Sequence, residues 1–226
     1  MDSLAKQDGG AGRPPAQEVR RVVVGIVHTN CYVITDRATG FHAVIDPGDN
    51  ATRIITMLGP EKAKYVKYIF LTHGHFDHVT ALKRVRDATR APAVIHKEDV
   101  HMLSDPKIGR SGKDNYSKAD IRIVGGESFD MGETTFTWLH TPGHTRGSCC
   151  IMCHDKIFTG DTLFEGDCGR TDFAGGSRES MLESLRLLAN LPGDYTIFPG
   201  HDVSTTLEKE RRSNPDMLEA IARGAN

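Results

Sequence analysis

The sequence predicts an α/β protein built as a four-layer αββα sandwich, in which two β-sheets pack together and helices cover their outer faces. The chain has 226 residues, 38% of them apolar, which suits one large domain with a buried core. Strand-like runs followed by helical patterns occur twice along the chain, without a short internal repeat of fixed period. Elements in this order indicate two packed sheets with helices outside.

The first half of the chain supplies five predicted strands. They are β-branched or mostly apolar runs bounded by turn residues, at 21–28, 31–36, 41–45, 65–71 and 93–95. Asn50 can cap a helix over Ala51–Leu58, which a Gly-Pro pair then ends. Apolar residues at helical spacing predict an amphipathic helix over 77–88, and a short helix is expected over 97–103.

The second half repeats this order after a long polar segment. Residues 104–120 contain two glycines and an asparagine, and a loop of this length is a candidate lid over a functional site. The predicted strands that follow are 121–124, Thr134–His140, 148–154, 156–159 and Thr196–Pro199. A Gly-rich loop covers 161–176, Ser177 can cap a helix over 179–189, and a helical pattern lies near 204–212.

Charge and composition limit the classes of partner. Lys and Arg number 28 against 30 for Asp and Glu, a formal charge of −2, which gives no electrostatic reason to expect nucleic acid. No apolar run reaches the roughly 18 residues that a membrane helix needs. Residues 1–18 are rich in Gly, Pro and charge and lack the apolar core of a secretion signal, so we expect a disordered tail, a domain over 19–226 and a cytoplasmic protein. The oligomeric state is left open.

The most informative segment is His73-Gly-His75-Phe-Asp77-His78, which follows a predicted buried strand and leads into a helix. It brings three imidazoles and one carboxylate within six residues. Such a turn lets closely spaced side chains converge, which a regular strand does not. Imidazole and carboxylate are the ligands that suit Zn²⁺, Fe²⁺ or Mn²⁺, so the segment predicts a metal site.

Three further candidate ligands occur later in the chain, at His144, Asp161 and His201. Each follows a predicted strand and a glycine, so the arrangement of apolar strand, glycine and ligand occurs four times in all. Four repeats of one arrangement indicate that these side chains meet at one point. The other histidines lack this setting and receive no metal role; they are His28, His42, His96, His101, His140 and His154.

The pattern His-x-His-x-Asp-His with later His, Asp and His resembles the metallo-β-lactamase superfamily, from about residue 22 to residue 215. Four segments are similar to its hydroxyacylglutathione hydrolase (glyoxalase II) branch: Asn30-Cys-Tyr-Val-Ile, Ile45-Asp-Pro-Gly48, Gly160-Asp-Thr-Leu-Phe164 and Cys168-Gly-Arg-Thr-Asp-Phe173. Larger members carry a helical C-terminal domain, whereas 25 residues of this sequence follow His201, so we expect no counterpart of that domain. The chain therefore resembles the short bacterial relatives, and the metallo-β-lactamase fold is expected.

The resemblance implies a role for each candidate. His73, His75 and His144 would hold one divalent cation, and Asp77, His78 and His201 a second, with Asp161 bridging both. Zn²⁺ is expected, with Fe or Mn as alternatives. A mononuclear three-histidine site would not need Asp77, so the second metal, and with it catalysis, is expected to depend on that aspartate. A hydroxide shared by two such cations would attack the carbonyl carbon of a small-molecule thioester.

The resemblance also gives Arg170 a role, because the family carries a basic residue there near the carboxylate of the substrate's thiol peptide. We expect Arg170 to bind an anionic group of the substrate, against the alternative of a loop salt bridge with Asp167 or Asp172. Cys168 precedes it, and a structural or incidental role is favoured over one as nucleophile.

Other functions stay open at this point. Persulfide dioxygenases share the fold and a similar loop but use one iron, which here would be held by His73, His144 and Asp161. A lactonase of the same fold is a further alternative, and so is a metal-binding protein without catalysis. Metal content separates the hydrolase from the dioxygenase, because the hydrolase needs about two ions per chain.

Overall fold

The computed structural model describes residues 16–104 and 118–224, and within them it contains two six-stranded sheets. The strands are β1 (Gln17–Val24), β2 (Thr29–Asp36), β3 (His42–Ile45), β4 (Val66–Phe70), β5 (Ala93–His96), β6 (Ile121–Ile123), β7 (Ser128–Met131), β8 (Thr134–His140), β9 (Cys149–Cys153), β10 (Lys156–Gly160), β11 (Thr196–Pro199) and β12 (Thr205–Thr206). The helices are α1 (Ala51–Leu58), α2 (Phe76–Val79), α3 (Leu82–Thr89), α4 (Arg178–Ala189), α5 (Leu207–Ser213) and α6 (Pro215–Arg223), with 3₁₀ helices at Pro60–Tyr65 and Lys97–Ser104.

The two sheets divide the chain into halves. The first has the order β1-β2-β3-β4-β5-β6, antiparallel up to β3 and parallel from β3 to β6. The second has the order β12-β11-β10-β9-β8-β7, in which only β10 and β11 run parallel. β3, β4, β10 and β11 lie inside their sheets, so the loops that follow them lie away from the sheet edges.

Three apolar clusters define four layers. Aromatic and aliphatic side chains from both sheets form the central cluster, where the ring centroid of Phe70 lies 5.0 Å from that of Phe136 and 5.6 Å from that of Trp138. A second cluster joins the first sheet to α1 and α3, and a third joins the other sheet to α4, α5 and α6. The predicted αββα sandwich is therefore confirmed.

Strand β2 shows why interior strands of this fold lack a polar face. Cys31 and Val33 pack against the helices, whereas Tyr32 and Ile34 point into the space between the sheets. Alternate side chains of a strand leave on opposite faces, so a strand covered on both faces is apolar throughout. Each large apolar side chain buried here contributes about 1.5–3 kcal/mol to the free energy of unfolding.

The caps of two helices agree with the sequence prediction. The side chain of Asn50 accepts a hydrogen bond from the amide of Arg53 at the start of α1, and Ser177 does the same for Ser180 at the start of α4. The predicted helix over 77–88 is wrong, because it is broken into α2 and α3. The amide of Ala81 donates to the carbonyl of Pro47 at 3.0 Å, at the point where the chain changes direction.

Other bounds differ from the prediction for local reasons. The first strand covers Gln17–Val24 rather than 21–28, because Gly25 and His28 both have positive φ in the turn that follows. Strand β7 and helix α6 were not predicted. β1 overlaps the end of the predicted tail over 1–18, whose residues 1–15 lie outside the described residues, as does most of the predicted lid over 104–120. In the described part of the chain, no helix has the length and apolar character to cross a bilayer.

Candidate metal centre

The first four candidate ligands lie in the segment that follows strand β4 of the first sheet. β4 ends at Phe70, the following loop carries His73 and His75, and α2 carries Asp77 and His78. A Cβ added to Gly74 would lie 2.7 Å from the Cβ of Met102, so the loop turns where only glycine fits.

The other three candidates follow strands β8, β10 and β11 of the second sheet. They are His144, Asp161 and His201, and each comes directly after a glycine. Gly143 has a φ of 142°, and a Cβ there would lie 2.5 Å from the Cα of Met181 in α4. The recurring glycine thus has a physical cause, since the backbone before each ligand passes close to another element.

All seven predicted side chains surround one point, in two groups. The first group is His73, His75 and His144. His75 Nδ1 lies 2.8 Å from His144 Nε2, and the ring centroid of His73 lies 4.8 Å from that of His75 and 4.9 Å from that of His144. One ligand atom from each residue lies within 4.8 Å of the others.

The second group is Asp77, His78 and His201. Asp77 Oδ2 lies 3.4 Å from His78 Nε2 and 3.3 Å from His201 Nε2. Asp161 lies between the groups, with Oδ1 3.4 Å from His78 Nε2 and Oδ2 3.4 Å from His144 Nε2. Oδ2 also lies 3.5 Å from His201 Nε2, so this one carboxylate contacts histidines of both groups.

Hydrogen-bonding groups that do not belong to the seven candidates, here called outer partners, hold the imidazole rings. His78 Nδ1 donates to Asp46 Oδ2 at 2.9 Å, and Asp46 Oδ2 also accepts from Thr72 Oγ1 at 2.6 Å. The other contacts are His73 Nδ1 with Thr72 Oγ1 (3.1 Å), His144 Nδ1 with the carbonyl of Arg170 (2.7 Å), His201 Nδ1 with the carbonyl of Val27 (3.1 Å) and Asp77 Oδ2 with Thr29 Oγ1 (2.9 Å). Such bonds at Nδ1 leave Nε2 as the free lone pair, the arrangement typical of metal-binding histidines.

Sequence reasoning missed these outer partners. Asp46 appears in the sequence analysis only within the family-like segment Ile45-Asp-Pro-Gly48 and receives no role there, yet it is buried and bonds to a candidate ligand. Its available signal is its position, because it follows β3, the parallel neighbour of β4, at the same carboxyl end of the strands where the ligand loop begins.

Two buried atoms of the cluster have no hydrogen-bond partner among the described residues. They are His73 Nε2 and Asp161 Oδ1, one from the first group and one from the shared carboxylate. A buried polar atom without a partner is costly and rare in folded proteins. Cations held by the cluster would give both atoms a partner, and the imidazole and carboxylate donors fit Zn²⁺, Fe²⁺ or Mn²⁺.

Two histidines of the first group, His73 and His75, are poor bases toward protons. Burial, together with the neighbouring imidazoles, holds the pKa of His73 well below its usual range. Burial and His144 lower the pKa of His75 to about 4. Their rings are therefore neutral near pH 7 and have lone pairs available for a metal.

The second group attracts positive charge. Burial alone would lower the pKa of His78, but Asp161, Asp77 and Asp46 outweigh it and raise that pKa to about 9. The same balance between burial and the carboxylates of Asp161 and Asp77 raises the pKa of His201 to about 10. In the metal-free chain, protons occupy the place where a cation would neutralise the two carboxylates, so metal uptake here must displace protons.

The cluster opens into a cleft of about 750 Å³. Its walls combine the metal-facing side chains with apolar ones, including Val27, Phe76, Met102, Phe164, Phe173 and Ala174. Cys168 also lines the cleft, but burial and Asp216 raise the pKa of its thiol to about 12. A protonated thiol is a weak nucleophile, which agrees with the expectation that Cys168 does not carry the chemistry.

Arg170 lines the same cleft and already has an acidic partner. Its Nε and Nη2 atoms donate to the two carboxylate oxygens of Asp172 at 2.9 and 2.7 Å. The guanidinium lies 4.4 Å from the ring centroid of Phe173. The side chain is 66% exposed, so the loop salt bridge considered above exists, and the guanidinium still borders the cleft.

His140 is the histidine nearest in sequence to a candidate ligand that received no metal role. Its ring stacks on that of His96 at a centroid distance of 4.1 Å, and its Nε2 lies 2.9 Å from the carbonyl of Arg146. None of the groups of potential metal ligands among the described residues includes His140 or His96.

Comparison with known proteins identifies the class of protein. The family model of the metallo-beta-lactamase superfamily matches residues 24–201, and the chain belongs to that superfamily. Its members typically bind divalent metal ions and include hydrolases that act on small molecules.

Among curated relatives, the chain is 37% identical to an uncharacterized protein of Mycobacterium leprae, over 84% of this chain and 94% of that one. It is 33% identical to the probable metallo-hydrolase YqgX of Bacillus subtilis, over 87% and 95% of the two chains. It is 34% identical to the hydroxyacylglutathione hydrolase GloC of Haemophilus influenzae, over 82% and 91%.

Solved structures agree with this assignment. The BLEG-1 B3 metallo-beta-lactamase has a TM-score of 0.80 and 32% identity, covering 88% of this chain and 99% of that one. ETHE1 from Myxococcus xanthus has a TM-score of 0.72 and 30% identity, over 92% and 90%. TTHA1623, solved in a di-iron-bound form, has a TM-score of 0.73 and 29% identity, over 87% and 98%.

Proposed function

We propose that this chain is a two-metal thioester hydrolase of the hydroxyacylglutathione hydrolase type, acting on a small-molecule thioester. The observation that carries the proposal is the second group of Asp77, His78 and His201, complete and separately supported beside the first group. A one-metal reaction would not require it. The similarity to GloC supports the choice of substrate class.

The seven side chains divide between two cations in this proposal. The first group would hold one, the second group the other, and the carboxylate of Asp161 would bridge them, with Zn²⁺ as the proposed ion and Fe or Mn as alternatives. Two such cations supply a water that is acidic enough to ionise near neutral pH and an electrophile for the carbonyl oxygen of the substrate.

The chain itself orients these groups. Asp46 and the carbonyls of Val27 and Arg170 fix three imidazole rings through Nδ1, so that the ring directions are set before substrate arrives. The apolar walls of the cleft would limit the access of bulk water to a bound substrate. A thiolate is a good leaving group, so little help from a general acid is needed, and we assign no such acid.

Two alternatives differ from this proposal in metal content or substrate. A persulfide dioxygenase would use one iron on His73, His144 and Asp161 and would leave the second group without a role. A lactonase would share both metals and would hydrolyse a cyclic ester rather than a thioester.

The test is metal quantification on protein purified without chelators, paired with a panel of thioesters and lactones and with measurement of O₂ uptake on a persulfide. We expect about two divalent ions per chain and thioester hydrolysis that a chelator abolishes and added Zn²⁺ restores. A single iron together with O₂ uptake would contradict the proposal, and so would turnover of lactones alone.

Arg170 is proposed to bind an anionic group on the substrate. Arg170→Glu is expected to raise KM for an anionic thioester by roughly 5-fold, because a negative charge replaces a positive one beside the anionic group, and to leave KM for a neutral thioester unchanged. Asp172→Asn frees the guanidinium from its acidic partner and should lower KM for the same anionic thioester. Equal changes for the anionic and the neutral substrate would rule out this contact.

A further inference from the structure

A buried carboxylate outside the seven, that of Asp99, binds to both loops of the first group. Asp99 lies on the 3₁₀ helix Lys97–Ser104 and is 1% exposed. Its Oδ2 accepts from the amide of Gly74 at 3.0 Å and from Thr145 Oγ1 at 2.7 Å, and its Oδ1 accepts from the amide of Gly147 at 2.8 Å. Three donors around one carboxylate leave both oxygens satisfied as acceptors.

The donors to Asp99 lie in the two loops that carry the candidate ligands of the first group. Gly74 lies between His73 and His75 in the loop after β4, and Thr145 follows His144 in the loop after β8. The two loops leave different sheets. Asp99 lies outside both loops, and its carboxylate accepts hydrogen bonds from each of them.

The backbone is shaped for this approach. A Cβ added to Gly147 would lie 2.6 Å from Asp99 Cγ, and one added to Gly74 would lie 3.0 Å from the carbonyl oxygen of Asp99. Both loops therefore carry glycine where the 3₁₀ helix presses against them. The same helix contributes Met102 to the wall of the cleft.

We propose that Asp99 is a positioning residue, which sets the mutual distance of His73, His75 and His144 and thereby the affinity of the first group for its metal. The proposal rests on the proposed function, because it takes the first group as a metal site. Asp99→Asn is the most informative substitution. Its amide nitrogen would face either Gly147 or the pair of Gly74 and Thr145, so that a donor meets a donor.

The experiment is a titration of Zn²⁺ into the metal-free full chain in competition with a chromophoric chelator. Substitution of the outer partners of metal ligands typically changes metal affinity by roughly 10- to 100-fold. We therefore expect Asp99→Asn to bind one of the two equivalents of Zn²⁺ more weakly by a factor of that size. The other equivalent should keep its affinity. Glu98→Gln is the matched control, because it removes the same charge from an exposed position on the same helix and should change neither equivalent.

A second variant guards against a folding defect in Asp99→Asn. Thr145→Val removes one of the three donors and should weaken the same equivalent by a smaller factor. Wild-type affinity for both equivalents in Asp99→Asn would overturn the proposal, and so would an equal loss in both, which indicates general loosening. If the wild type binds only one Zn²⁺ ion per chain, the proposed two-metal function fails. The Asp99 proposal then stands only if Asp99→Asn lowers the affinity for that single ion.

Discussion

Asp161→Asn is expected to lower kcat/KM for thioester hydrolysis by about three orders of magnitude while the chain stays folded. The two oxygens of Asp161 face His78 on one side and His144 on the other, and Asn replaces one of them with a donor. Charge stabilisation by a metal contributes several kcal/mol to the transition state, and about 4 kcal/mol corresponds to that factor. Kinetics with one thioester, metal content and thermal unfolding are the measurements.

Asp167→Asn is the control for this variant. Asp167 also lines the cleft and loses the same charge, but it belongs to neither group, so kcat/KM should stay within a few-fold of wild type. If Asp161→Asn kept two metals and wild-type turnover, the bridging role would have to be abandoned.

The candidate ligands could be predicted from the sequence because the signal for each is local. A strand, a glycine and a ligand stand within a few residues of one another, and the fold brings four such segments to one point. Asp46 and Asp99 carry no such signal. Asp46 bonds to His78, 32 positions away, and Asp99 bonds to Gly74, 25 positions away, so their roles depend on packing that one segment does not encode.

The difference between local and non-local signals also explains which parts of the secondary structure were not predicted. The break between α2 and α3 depends on the non-local bond from Ala81 to Pro47, and the 77–88 segment alone reads as one helix. Helix α6 is a different case, because Asn214 caps it and Pro215 occupies its first position. Those local signals were present in the sequence, so α6 could have been found.

Gly200→Ala is expected to lower kcat/KM by about 100-fold or more, although it adds only one methyl group. A Cβ at this position would lie 2.2 Å from Asp161 Oδ1 and 2.7 Å from His78 Cε1. The backbone is held on both sides, since its amide donates to the carbonyl of Gly160 at 2.8 Å and its carbonyl accepts from the amide of Asn30 at 2.7 Å. The collision must therefore move the two side chains rather than the backbone, and displacements near 1 Å at a reacting centre typically cost that much.

The backbone conformation does not explain the effect, because Gly200 is absent from the glycines with positive φ among the described residues. Gly193→Ala separates strain from collision: Gly193 has a φ of 80° with no atom within 4 Å of the added Cβ. That control should lose about 1–2 kcal/mol of stability and keep its metals and its turnover. Gly200→Ala should show the reverse pattern, with metal content and kcat/KM reduced and thermal unfolding less affected. Two bound metals and wild-type turnover in Gly200→Ala would mean that catalysis does not depend on the arrangement of Asp161 and His78.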